Sequence, residues 1–351
     1  MQDVDLFDIE SYNYDLPEEL IAQNPVTPRD SSRMLVLDRR SGEMMHKRFS
    51  DLGELLAPSD LLVLNDTKVI PARLRGTKLP GGGKAELLLL KSLDPEWREW
   101  EALVKPGRRL RSGTGIRLSD GTVVTVGERI DRGNGVRTVS FPGRTPVLAL
   151  LEEIGETPLP PYITRSTAPR SAYQTVFAAR DGSAAAPTAS LHFTEELLEK
   201  LRNTLGISIA WVTLHVGLGT FRPVQCEDIR RHSIHEEFCV LPLETKLLVE
   251  ETKRRGGRVV AAGTTVARTL ESMAADDGEL RSGEMNTRLF IFPGYEYKVI
   301  DALVTNFHLP KSSLLMLVSA FAGYEPVMRA YAAAVSMKYR FFSFGDAMFI
   351  R

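Results

Sequence analysis

The chain lacks the features that define several large protein classes. Of its 351 residues only two are cysteine, Cys226 and Cys239. That is too few for a disulfide framework or a thiolate metal cage, and nothing compels the two to pair. No apolar run reaches the ~18–20 residues of a membrane span, and no basic-then-apolar leader opens the sequence. The expectation is a soluble, cytoplasmic, monomeric protein with no membrane partner. Net charge is nearly absent too, at −1, which argues against a non-specific nucleic-acid binder. There is no internal repeat and no coiled-coil heptad run. What is present is 43% hydrophobic content, enough at this length for two or three domains with real cores.

The small net charge hides a segregation. From Lys68 to Arg144 there are 16 Lys and Arg against 8 Asp and Glu, while the rest holds 28 against 37. A basic block on an acidic body is the footprint of an anionic partner, or of a β domain with arginine-rich turns. The texture changes over the same stretch. After "KLPGGGK" come short alternating runs, "AELLLLKSL", "WEALVKP", "GIRL", "TVVTVGERI" and "VRTVSF", reversed at "SDGT" and "DRGNGV". Strands with no helix between them predict a small antiparallel barrel.

On both sides of this block the sequence alternates strands and helices. The first part reads as short helix, strand, helix "FSDLGELL" and buried strand "LLVLNDT". The second runs through strand "ISIAWVTL", helix "LETKLLVEETKRRGG", strand "RVVAAG", helix "TVARTLESMA", strands "LFIFPG" and "YKVIDALVTNF", and helix "SSLLMLVSAFAG". The aromatic tail "YRFFSFGDAMFI" reads as a core strand rather than a base-stacking platform. The fold class predicted is α/β, a largely parallel sheet with helices on both faces, interrupted by an inserted antiparallel β-barrel. The α/β domain is discontinuous over residues 1–70 and 150–351, and the barrel spans 71–149.

Five of the six histidines fall in the second α/β part. His192 closes a long Ala/Ser/Gly-rich loop, His215 ends a strand in "HVGLGT", and His308 follows Asn306 in "NFH". In open α/β sheets ligands bind beyond the carboxyl ends of strands, where these loops and "GTT" would meet. Residues of the "HVGLGT" type suit a phosphate cradle, a metal site or acid–base chemistry. In "AAGTTVARTLES", Thr264 and Thr265 either cap a helix or present it to a ligand. "HSIHEEF" has neither the H-E-x-x-H spacing nor a third ligand, so no metal site is expected. "NDTKVIPAR" supplies Asp66, Lys68 and Arg73, a carboxylate and cations where the two parts join.

These motifs resemble the S-adenosylmethionine:tRNA ribosyltransferase-isomerases of queuosine biosynthesis. The resemblance is carried by "YDLPEELIAQNP", "RDSSRMLVLDR", "LLVLNDTKVIPARL", "AAPTASLHFT", "LHVGLGTFRPV", "HSIHEE", "AAGTTVARTLES", "VTNFHLPKSSLLMLVSAFAG" and "YRFFSFGDAM", in family order. Ser190 stands where the family usually has glycine, and Ile234 where it has methionine. The resemblance implies ribosyl transfer from S-adenosylmethionine, a co-substrate rather than a cofactor, to 7-aminomethyl-7-deazaguanine at the tRNA wobble position. Isomerisation would give epoxyqueuosine, with release of adenine and methionine. His215, Asp66, His192 and His308 are then the proton-transfer candidates. Gly217, Gly219, Thr220, Thr264, Thr265, Asn306, Lys68 and Arg73 would form the substrate-binding set. Arg222 would hold RNA phosphates, as would Arg108, Arg109 and Arg111 on the barrel. A nicotinamide-dependent oxidoreductase would need a full glycine fingerprint, and a non-catalytic RNA-binding module would leave the histidines idle.

Overall fold

A computed structural model describes residues 4–130, 135–143, 145–217 and 224–351. Contacts divide the chain into two units. One comprises Met1–Thr67, Pro161–Arg180 and Ala186–Arg351; the other comprises Lys68–Pro160 and Asp181–Ala185.

The first unit is built on a nine-stranded sheet. In spatial order its strands are Gly283–Thr287, Glu237–Leu241, Ser208–Leu214, Leu61–Asn65, Val259–Ala262, Ala302–Asn306, Ala347–Ile350, Arg33–Leu37 and Met44–Arg48. The central neighbours from Ser208–Leu214 to Ala302–Asn306 run parallel. They are buried without interruption in "LLVLN", "VVAA" and "ALVTN", as strands covered on both faces must be. Ala347–Ile350 runs antiparallel to Ala302–Asn306, and both edges of the sheet close with antiparallel pairs.

The sheet is therefore mixed rather than largely parallel: its centre is parallel and Arg33–Leu37 runs parallel to Ala347–Ile350, while the other four pairs are antiparallel. Connectivity explains the difference. Two helices in succession, Ser313–Ala322 and Tyr324–Ser336, precede Ala347–Ile350 and return the chain in the opposite sense. Between Ser208–Leu214 and Glu237–Leu241 no described α-helix intervenes, so that pair is antiparallel as well.

Three elements depart from the sequence expectation. "FSDLGEL" forms a 3-10 helix, Phe49–Leu55, in which Phe49, Leu52 and Leu55 are buried at intervals of three. That spacing matches three residues per turn and places all three on one side. They pack with Phe193, Leu197 and Leu201 against Met34, Val36, Leu62, Leu64, Val260, Val304 and Phe349. "LFIFPG" is not a strand, since the edge position is taken by Gly283–Thr287. The Leu289 amide bonds Thr287 and its carbonyl bonds Arg268, while Pro293 has no N–H to offer a ladder. "TEELLEKLRNTLG" begins as an α-helix, Glu195–Glu199, and continues as a π-helical turn, Lys200–Thr204. The aromatic tail does end in a buried core strand, Ala347–Ile350.

The second unit contains a closed antiparallel barrel. Its strands follow the order Val136–Ser140, Glu99–Lys105, Lys84–Ser92, Arg73–Leu79, Gly115–Leu118 and Val123–Arg129. Alternation fills its interior: Trp100, Ala102 and Val104 are buried, while Glu99, Glu101 and Lys105 are not. The "SDGT" reversal joins Gly115–Leu118 to Val123–Arg129. Gly121 there adopts φ +92°, a value only glycine takes without strain. The helix Val147–Ile154 belongs to the same unit. Cys226 and Cys239 are unbonded. Among the described residues no helix is long and apolar enough to cross a membrane.

Candidate active site

The parallel centre of the sheet brings four strand ends to one edge. Asp66 and Thr67 follow Leu61–Asn65; His215 and Gly217 follow Ser208–Leu214. Gly263, Thr264 and Thr265 follow Val259–Ala262, and His308 lies just beyond Ala302–Asn306. Asn65, fully buried, ties three of these ends together. Its Nδ2 donates to the Leu214 carbonyl and to Thr265 Oγ1, each at 3.1 Å. Its Oδ1 accepts from the Leu214 and Thr67 amides, also at 3.1 Å. Every hydrogen-bonding position of the amide is used.

A narrow cleft lies at this edge, with Gly263, Thr264, Thr265, Thr305, Asn306 and His308 among its lining. Its enclosed space is about 30 Å³, room for a water or two. The helix Thr264–Met273 begins here with Gly263 at its N-cap, at φ +108° and with no side chain capping it. The capping role open to Thr264 and Thr265 is thus not taken, and Thr265 Oγ1 is instead engaged by Asn65. An uncapped helix start offers free N–H groups and partial positive charge to a ligand.

Two of the candidate histidines are buried, and burial pushes both imidazoles down to about 3. They are neutral at physiological pH. His308 lines the cleft, with its Nε2 2.7 Å from Thr305 Oγ1. Its backbone is fixed by two tyrosines: the amide donates to Tyr331 Oη at 3.0 Å, and the carbonyl accepts from Tyr14 Oη. His192 does not line the cleft. It sits behind Asn306, stacked on Phe49 with ring centroids 4.9 Å apart. Both its nitrogens are engaged, Nδ1 with Ser32 Oγ at 2.8 Å and Nε2 with Asn306 Nδ2 at 3.1 Å.

His215 is half-buried, with Nδ1 2.7 Å from Thr67 Oγ1 and its ring stacked on Phe238. Asp66 accepts from Thr213 Oγ1 at 2.6 Å and lies 3.6 Å from Arg180. Partial burial raises its pKa, against the lowering effects of Thr213 and Arg180. Gly217 donates its amide to Glu237 Oε1 at 2.9 Å, and Glu237 is paired with Arg268 in full burial.

The other candidates are placed as follows. Lys68 and Arg73 belong to the second unit. Lys68 is 3.1 Å from Asp181, and the half-buried Arg73 has an Nε without a partner. Arg108, Arg109 and Arg111 are exposed on the turn after Glu99–Lys105. Gly219, Thr220 and Arg222 lie outside the described residues. Among the described residues no three His, Cys, Asp or Glu side chains gather as a metal site. His232 instead packs edge-on against Phe290.

Sequence reasoning placed Asn65 at a strand end without a role, and missed Ser32, Glu237 and Arg268 as members of this region. A signal existed for one of them. It is faint: the short apolar face of "TTVARTLESM" leaves Arg268 beside it, but the partner Glu237 is 31 residues away and only the fold brings it there. Ser190 carries the departure from the family pattern: its hydroxyl, fully buried, reaches the Ala262 carbonyl at 3.4 Å.

The family model described as queuosine biosynthesis protein matches residues 9–350. Curated S-adenosylmethionine:tRNA ribosyltransferase-isomerases from Symbiobacterium thermophilum and Halothermothrix orenii are 53% and 51% identical over 343 residues. Those alignments cover 97% of this chain and 99% of each relative. The crystal structure of the S-adenosylmethionine tRNA ribosyltransferase of Thermotoga maritima is 41% identical, covering 97% of this chain and 100% of that one, with a TM-score of 0.56. With the family pattern running through both units and almost every residue aligned, the chain belongs to the queuosine biosynthesis family of S-adenosylmethionine:tRNA ribosyltransferase-isomerases, which are transferases.

Proposed function

We propose that the chain transfers the ribosyl unit of S-adenosylmethionine to 7-aminomethyl-7-deazaguanine at the wobble position of tRNA and isomerises it. The products are epoxyqueuosine-tRNA, adenine and methionine. The observation that carries this reading is the uncapped start of Thr264–Met273, set in a cleft with Asn306 and His308. Free N–H groups beside neutral hydrogen-bonding side chains suit a nucleoside or its carboxylate-bearing tail. The enclosed space is far smaller than such a donor, so the donor lies across the mouth with one edge on the polar floor.

The sulfonium acidifies the neighbouring C5′ hydrogens, and a positioned base removes one to start the rearrangement. Asp66 and His215 are the groups suited to it. Asp66 is moved toward the basicity such a role requires, and His215 is half-buried with Thr67 orienting its ring. His308 lies in the cleft as a neutral imidazole, suited to hydrogen-bond the departing adenine rather than to supply a proton from bulk water. Thr264 and Thr265 hold the donor, with Gly217, Gly219 and Thr220 as further candidates for binding it. Lys68, Arg73 and Arg222 serve the RNA side. The unit containing the barrel contacts tRNA through Arg108, Arg109 and Arg111, whose exposure suits phosphates.

The test is incubation with S-adenosylmethionine and tRNA carrying the 7-deazaguanine precursor, followed by assay of free adenine. Adenine released in step with tRNA modification is expected. A protein that binds the tRNA yet neither binds S-adenosylmethionine nor releases adenine is an RNA-binding module, and the reading fails.

A further inference from the structure

Behind the cleft, Ser32, His192 and Asn306 form a chain of buried polar groups, 2%, 5% and 2% exposed. The orientation of its last member follows from its neighbours. Asn306 Nδ2 is 3.2 Å from the Phe342 carbonyl, which can only accept, so the NH₂ and not the oxygen faces that way. The same NH₂ then donates to His192 Nε2, which must be an unprotonated acceptor. The imidazole proton therefore sits on Nδ1 and goes to Ser32 Oγ. Each link fixes the next.

The outcome is that Asn306 Oδ1 is held in one place, and it has no partner. A buried acceptor left without a donor is unfavourable. Asn306 lines the cleft whose opposite resource is the uncapped start of Thr264–Met273. Free donors and a lone acceptor thus belong to residues that line one small space.

We infer that Asn306 Oδ1 accepts a hydrogen bond from a neutral N–H or O–H of the donor nucleoside, and that Ser32 and His192 are positioning residues that set the amide for it. The inference rests on the reading that this cleft takes S-adenosylmethionine. The positive end of the helix disfavours the ammonium of the methionine tail at the same spot. The group recognised is therefore a ribose hydroxyl or the adenine 6-amino group. His192, with both nitrogens engaged, moves no proton to or from the substrate.

The experiment is equilibrium binding of S-adenosylmethionine to the full chain, alongside analogues lacking the 2′-hydroxyl, the 3′-hydroxyl or the 6-amino group. One analogue is expected to bind the wild type about 10- to 100-fold more weakly, the scale of one hydrogen bond to a buried acceptor. In Ser32→Ala and His192→Phe the parent should weaken toward that analogue while the analogue itself changes little, and Ser32→Thr should keep the discrimination. A purely structural role would weaken all ligands together. Three analogues that bind the wild type as tightly as the parent would overturn the inference without any variant having to fold. Variants that weaken parent and analogues equally would overturn the positioning roles. If the wild type binds no S-adenosylmethionine at all, the functional reading falls and this inference with it.

Discussion

The two units solve the same problem, a closed hydrophobic core, with opposite treatment of polar groups. Among the described residues, Lys68–Pro160 buries no polar or charged side chain fully, and the unit's other segment, Asp181–Ala185, adds Ser183 alone. The barrel interior is Leu, Val, Ile, Ala and Trp100, and its charges stand on the surface. The sheet unit buries Asn65, Thr67, His192, Glu237, Arg268, Asn306 and His308, most of them at or beside the ends of its strands. Burying such groups is unfavourable unless each finds a partner, so their concentration at one edge marks where structure is given over to recognition. A barrel with an all-apolar interior has only its surface to offer. The proposed division, a small molecule on the first unit and a polyanion on the second, rests on that difference.

The strongest contrast is expected from the Arg268–Glu237 pair. Arg268→Met removes the cation that Glu237 meets in full burial and should destabilise the sheet unit by about 3–5 kcal/mol in urea titrations. A loss under about 1 kcal/mol would mean that the pair is not what holds the strand end beneath Gly217.

A smaller effect on the same edge concerns activity. His215→Ala should lower turnover ~100-fold, the scale of a missing acid–base group. Its melting temperature should stay within a few degrees, because the ring is half-buried and a loss of ~1 kcal/mol shifts a chain of this size only slightly. Early melting with normal turnover of the folded fraction would make His215 a core residue and erase the contrast at that loop.

Proton uptake separates the units by about 2 kcal/mol per group. His192 and His308 have pKa values near 3 when folded and about 6.5 when unfolded. The unfolded chain therefore takes up protons first, and stability falls as pH drops from about 6.5 toward 3. At pH 5 each histidine should cost about 2 kcal/mol relative to pH 7. Asp66, with its raised pKa, acts weakly in the other direction. Equal urea midpoints at pH 5 and pH 7 would show that neither imidazole is held neutral.

How much of this was legible beforehand differs by unit in the same way. The barrel was readable because alternation and turn residues are local: "WEALVKP" and "SDGT" contain their own instructions. The sheet's central strands were readable as unbroken apolar runs. The strands flanking that centre were not, because the direction of Ala347–Ile350 depends on two consecutive helices and not on its own residues. At the site, His215, Asp66, Thr264, Thr265, Asn306 and His308 could be placed at strand ends from local motifs. Whether a histidine faces the cleft or stands behind it could not. Ser32 and His192 are 160 residues apart, and only folding reveals that both ring nitrogens of His192 are already used.

The smallest expected effect on folding belongs to the barrel surface, and there the contrast is sharpest in function. Arg108, Arg109 and Arg111 are exposed, and no ion pair is described for any of them. Reversing all three to glutamate removes no buried contact, so folding stability should change by only about 0.5 kcal/mol or less per site. Binding of tRNA should behave differently. Each cation on a phosphate releases a counterion, so losing three should reduce the slope of log affinity against log salt by up to about 3. Affinity at low salt should fall accordingly, while S-adenosylmethionine should bind as before because the cleft proposed for it is lined wholly by the other unit. Titrations of tRNA at several salt concentrations, paired with donor binding on the same preparation, read both quantities. An unchanged slope would place the phosphate contacts elsewhere on the chain. A parallel loss of donor affinity would end the division of labour between a polar strand edge and a charged barrel surface.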